Sequence, residues 1–143
     1  MYVFDNFYVD CLVKLFASFL CGLFLGLERK RRFHSVGIRT LILISTSSMS
    51  MGMVSYLMAE NSAVPGDPTR IAAGVVTGIG FIGGGAFIRQ GMNIRGITSA
   101  AVIWAACGTG LACGIGAYFI AGATLVLSIL SLIFLGIAEG HMF

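Results

Sequence analysis

The chain has 143 residues, 57% of them apolar and only 10% charged, against about 25% charged in an ordinary soluble domain. So little charge cannot cover a water-facing surface, which argues against a soluble enzyme and makes lipid the solvent for most of the exterior. The net charge is +3, and four of the nine basic residues form one run, Arg29-Lys30-Arg31-Arg32. That run follows an apolar stretch, so it reads as the cytoplasmic flank of a membrane helix and not as a nucleic-acid site.

A membrane-crossing helix needs about 20 mostly apolar residues. Five such segments are expected in a single transmembrane domain over residues 1–143: Phe7 to Leu27, Ile38 to Ala59, Arg70 to Ile88, Gly96 to Gly114, and Ala117 to Ala138. The first ends in Glu28-Arg29-Lys30 with no small-residue cleavage site, so it is expected to be retained as a helix. Lys14 lies one turn inside its other end, where Asp10, four residues earlier, can pair with it on one helix face. The second carries Ser45-Thr46-Ser47-Ser48, Ser50 and Ser55, whose hydroxyls can bond to backbone, pack closely or line a polar path. Its Met49, Met51 and Met53 point about 200° apart in turn, so they cannot share one soft-metal site. Pro65-Gly66-Asp67-Pro68 marks the turn into the third segment. Between the fourth and fifth, Gly114-Ile115-Gly116 is the one turn signal in an apolar run too long for a single crossing.

Basic residues alternate by loop. The first loop holds Arg29 to Arg32 with Arg39 at its end, and the third holds Arg89 and Arg95. Under the positive-inside rule those loops face the cytoplasm, which gives an outside N-terminus and a cytoplasmic C-terminus.

Twenty glycines in membrane helices imply close helix packing, because small residues let backbones approach. The pairs Gly22 with Gly26, Gly74 with Gly78, Gly80 with Gly84, and Gly110 with Gly114 have the four-residue spacing of such seams. The run from Gly78 to Gly85 also fits GxGxxG, but without the strand and soluble sheet a dinucleotide site requires. The successive Gly83, Gly84 and Gly85 leave open a break in the third helix of the kind that lines a wet cavity.

The alternation of loops brings Glu28 and Arg29, Arg39 and Thr40, Gly83 to Gly85, and Arg95, Thr98 and Ser99 to one membrane face. Two readings stand: a polar site on the cytoplasmic side, with Glu28 paired to Arg39 or Arg29, or a set of interfacial anchors and caps. No HExxH, no GxSxG and no paired intramembrane histidines occur, since His34 and His141 fall in cytoplasmic segments. No enzyme activity, cofactor or metal centre is therefore expected. Glu28 is the sole acid near the glycine-rich face, a poor carboxylate supply for magnesium. The cysteines Cys11, Cys21, Cys107 and Cys113 sit in apolar segments without CxxC spacing and read as small buried hydrophobes.

Taken together, Gly26-Leu27-Glu28-Arg29-Lys30, Gly37-Ile38-Arg39-Thr40, Arg70-Ile71-Ala72-Ala73, the run Gly78 to Gly85, and Arg95-Gly96-Ile97-Thr98-Ser99-Ala100-Ala101 with Trp104 resemble the MgtC/SapB membrane-domain family. The likeness extends over about Gly22 to Ala121. It implies a bacterial inner-membrane protein of about five transmembrane helices, involved in adaptation to low magnesium and in virulence, and acting as a regulator of other membrane machinery such as the ATP synthase or a transporter. Gly74 stands where many members carry glutamine, and Ala105 where some virulence-type members carry cysteine. Many members continue into a cytoplasmic domain, which a short form ending at Phe143 is expected to lack. The expected partners are the lipid bilayer and either a second copy or a larger membrane protein, with no nucleic acid. The alternative is a small oligomeric ion transporter or channel for magnesium, another cation or protons.

Overall fold

In lipid the backbone must satisfy its own hydrogen bonds, so apolar runs become helices. The computed structural model describes residues 2–31, 36–60, 67, 69–86, 88–90 and 93–140. It contains α1 (Tyr2–Arg31), α2 (Ile38–Glu60), α3 (Thr69–Gly85), β1 (Ile88–Gln90), β2 (Asn93–Arg95), α4 (Ile97–Gly114) and α5 (Tyr118–Gly140). Three stretches, Asn6–Lys30, Ile38–Glu60 and Ile97–Gly114, are long and apolar enough to cross a membrane. Arg32, His34, Pro65, Gly66, Pro68 and His141 lie outside the described residues.

Two elements differ from the reading of the sequence. Helix α1 runs through Glu28 to Arg31 instead of stopping near Leu27, and basic side chains in a last turn complement the negative end of the helix dipole. Helix α3 ends at Gly85, before the expected Ile88, and stays unbroken through Gly83 and Gly84. Beyond it β1 and β2 form an antiparallel ribbon with Ile88 opposite Arg95 and Gln90 opposite Asn93. The broken third helix is therefore corrected: the three glycines close a continuous helix, and the Ala86 amide donates to the Gly83 carbonyl at 3.1 Å.

Helix α4 is the centre of the bundle and touches α1, α2, α3 and α5. Its inward residues include Val102, Ile103, Ala106, Cys107, Gly110 and Cys113. Glycine allows this crowding. A Cβ on Gly22 would stand 2.7 Å from the Ile42 Cα, and one on Gly26 would stand 2.6 Å from the Ile38 Cα. On Gly110 and Gly114 it would strike the carbonyl oxygens of Ser45 and Met49. Helix α2 is thus held on one side by α1 and on the other by α4.

The hydroxyls of α2 largely serve this packing. Ser45 Oγ donates across the α1–α2 seam to the Ser18 carbonyl at 2.8 Å, while Thr46 and Ser50 donate to the Ile42 and Thr46 carbonyls of their own helix. Met49 is buried and Met51 half-exposed, as 200° steps require. At the far end of α1, Lys14 Nζ lies 2.6 Å from Asp10.

The chain reverses after α4 by a glycine device. Gly116 takes a left-handed φ of 78°, its amide donates to the Cys113 carbonyl at 3.0 Å, and the Ala117 amide donates to Ala112 at 2.8 Å. These bonds satisfy the last carbonyls of the helix in a Schellman arrangement. At the start of α3, Asp67 accepts from the Thr69 amide at 2.9 Å and the Thr69 hydroxyl at 2.7 Å, and these bonds hold its carboxyl below the usual carboxylate range. Its cap is therefore present above that range and fades as pH falls through the lowered pKa.

Substitution separates the two kinds of glycine. Gly110→Val should destabilise the protein by about 3 kcal/mol through overpacking, whereas Gly74→Ala, where an added Cβ meets no atom within 4 Å, should be neutral or slightly stabilising. Unfolding in detergent, followed by helical circular dichroism, reads both.

Candidate functional site

Four chain segments meet at one end of the bundle. The last turn of α1 lies against the first of α2, through Gly26 and Ile38. The first turn of α4 reaches α1 through Ser99 and Arg29. The end of α3 reaches α4 at Gly83, where an added Cβ would lie 3.7 Å from the Ala100 Cβ.

The junction encloses charge. Arg29 is 2% exposed and Glu28 is 7% exposed. Arg29 Nη2 donates to Ser99 Oγ at 3.4 Å, and its Nη1 lies 3.8 Å from Glu28 Oε2. Both groups also make further interactions with their surroundings. Neighbouring residues on a helix point about 100° apart, so burying both requires cover on more than one side, and α4 supplies one of these through Ser99. Removing a guanidinium from water costs several kcal/mol, and polar groups kept inside membrane proteins mark structural or functional nodes.

Of the residues the sequence singled out, this end gathers Glu28, Arg29 and Ser99 into the interior. Glu28 pairs with Arg29, one of the two partners considered. Arg39, Thr40 and Thr98 share the same end but are exposed. Leu41 of α2 and Ser99 and Ala100 of α4 are the inward residues there, while Arg39, Thr40 and Thr98 lie on the uncovered sides of the same turns. Arg95 is in β2, and its side chain lies outside the described residues.

The glycine-rich segment divides as well. Gly83 is buried against α4, while Gly74, Gly78, Gly80, Gly84 and Gly85 are exposed, and an added Cβ at any of these five meets no atom within 4 Å. Two apolar grooves flank α3. One, of about 580 Å³, lies against α2 between Leu43, Ser47, Met51, Gly74, Gly78 and Ile82. The other, of about 680 Å³, lies against α4 and α5 beside Gly80, Gly84, Ala101, Trp104 and Thr124. Sequence reasoning did not bring together a second buried feature, an apolar cluster that holds Cys21 of α1 and Cys113 of α4 with Met49. No linear spacing connects two residues on different helices.

Residues 15–140 match the MgtC family. The chain belongs to the MgtC family. Over 131 residues it is 38% identical to Protein SapB of Bacillus subtilis, covering 88% of this chain and 56% of that one. Over 93 residues it is 39% identical to Protein MgtC of Salmonella typhimurium, covering 65% of this chain and 38% of the relative. Protein MgtC of Brucella abortus is 38% identical over 90 residues, covering 63% of this chain and 36% of that one. The chain thus spans between 36% and 56% of the length of these relatives. No solved structure matches it. Family membership and the three long apolar helices make it a membrane protein.

Removing one partner of a buried charge pair strands the other. Arg29→Leu should therefore destabilise the protein by about 3 kcal/mol, and adding Glu28→Gln should restore part of that loss. Arg39→Gln, on the exposed side, should shift stability by less than about 0.5 kcal/mol. Detergent unfolding midpoints of the four proteins check the series.

Proposed function

We propose that this MgtC-family protein resides in a bacterial inner membrane, crosses it five times and acts in adaptation to low magnesium as a regulator of other membrane machinery. The N-terminus lies outside, and the basic end around Arg29 lies in the cytoplasm. Arg29 to Arg32, Arg39, Arg89 and Arg95 all belong to loops or helix ends on that side, which supports this orientation.

The observation that carries the regulatory reading is the pair of exposed glycine edges of α3, Gly74 with Gly78 on one side and Gly80 with Gly84 on the other. Gly74, Gly78, Gly80 and Gly84 are open, and glycines let a partner helix approach its backbone closely. The buried Arg29 and Glu28 lie at the end of the bundle where α3 finishes. In this reading the protein is not an enzyme and carries no cofactor. Its partners are the surrounding lipid and a larger membrane protein such as a transporter or ATP synthase, or a second copy of itself.

A second reading, a small oligomeric transporter for magnesium, another cation or protons, draws on one observation: Ser47 and Ser48 line the groove between α2 and α3. It is less favoured, because Ser45, Thr46 and Ser50 direct their hydroxyls to backbone carbonyls and α3 has no break.

A photo-crosslinking residue at Gly78, compared with one at exposed Leu127 of α5, tests the regulatory reading in cells grown at low and at high magnesium. The expected result is a covalent adduct with a different membrane protein from position 78 alone. Recovery of only the lone chain in both media would contradict it, capture of a second copy and no other protein would contradict the role as regulator of other machinery, and flux of magnesium or protons into liposomes holding the purified protein would favour the second reading.

A further inference from the structure

The groove between α2 and α3, of about 580 Å³, is walled by aliphatic side chains, Met51 and two glycines, with Ser47 and Ser48 as its polar residues. On α3 it runs from Ile71 to Ile82, a rise of about 16 Å along the helix. That is close to one leaflet's share of a hydrocarbon core about 30 Å thick. Its two mouths differ in charge. Arg39 precedes the lining residue Leu43 by four positions, and Thr40 precedes Ile44 by four, so both continue the α2 wall one turn beyond the groove. Both are exposed. Helix side chains lean towards the N-terminus, which carries Arg39 out of the apolar zone towards the headgroup layer. Exposed Lys30 shares this end, and among the described residues Arg39 has no ion-pair partner. The opposite end carries both signs: Arg70, four residues before Gly74, shares it with exposed Glu60 and Asp67.

We propose that this groove binds one anionic phospholipid of the cytoplasmic leaflet, with an acyl chain lying along Gly74 and Gly78 and the phosphate meeting Arg39 and Thr40. The guanidinium presents paired N–H donors that match phosphate oxygens, and the threonine hydroxyl adds another donor. Basic pockets between membrane helices on the cytoplasmic side favour anionic headgroups. A zwitterionic headgroup offers the same phosphate but brings its own cation to an end that already carries Lys30 and Arg39. The choice of leaflet rests on the orientation proposed above. The lipid fills the edge of α3 that the regulatory reading gives to a partner helix, so it is the occupant that such a helix must displace.

The full-length protein, purified in neutral detergent, is titrated with phosphatidylglycerol or with phosphatidylcholine of the same acyl chains, and bound lipid is counted by native mass spectrometry. The expected result is one phosphatidylglycerol held per protein at a concentration roughly fivefold lower than phosphatidylcholine requires, the factor one arginine near an anionic headgroup contributes. Arg39→Gln should remove that preference, while Arg70→Gln at the other mouth should keep it. Gly78→Leu, where an added Cβ meets no atom within 4 Å, should fill the groove and weaken retention of both lipids with helical circular dichroism unchanged. Equal retention of the two lipids by the wild type, a preference that survives Arg39→Gln, or undiminished binding in Gly78→Leu would overturn the proposal. No partner protein is present, so failure here leaves the cross-linking result from position 78 to stand or fall by itself.

Discussion

A guanidinium shut away from water at the end of a membrane helix is costly unless polar groups meet it from several directions. Arg29 is shut away almost completely, and much of the architecture follows from that. Helix α1 extends to Arg31, so the negative end of its dipole lies near the charge. Helix α4 begins close enough for Ser99 to accept from the guanidinium. Helix α2 starts against Gly26, where a side chain would leave no room. The pair Glu28 and Arg29 is thus a fixed point at which three helix ends meet.

Away from this end, close contact replaces the hydrophobic drive that water would supply. Gly22 and Gly26 admit α2 to α1, and Gly110 and Gly114 admit it to α4. The same residue type does the opposite on α3. There Gly74, Gly78, Gly80 and Gly84 face open grooves, and only Ile79 and Gly83 are buried. A helix held along one edge is the natural place for a bundle to receive another helix. The α1–α2–α4 core carries the fold, and α3 is left available for contact.

Much of this was legible in the sequence. Apolar run lengths located the five helices, and Gly114-Ile115-Gly116 located a reversal that no charge marks, because a left-handed glycine is what a Schellman cap requires. Alternating basic loops placed Glu28, Arg29, Gly83 and Ser99 at one end. What stayed hidden depends on facing and not on order. Arg39 and Thr40 sit beside buried Leu41 yet point outward, because sharing an end does not mean sharing a face. Four-residue glycine spacing could not separate the inner seam of Gly110 and Gly114 from the open face of Gly74 and Gly78, since only the neighbouring helix distinguishes them. The three-residue strands β1 and β2 are too short to show a period.

The central claim is that the buried Arg29 holds the first turn of α4 against α1. Hydrogen–deuterium exchange at the amides of Ala100 to Ile103, in the wild-type protein and in Arg29→Gln, tests it directly. The account predicts slow exchange in the wild type and at least tenfold faster exchange in the variant, with the amides of α5 unchanged. Equal protection of these α4 amides in both proteins would contradict it.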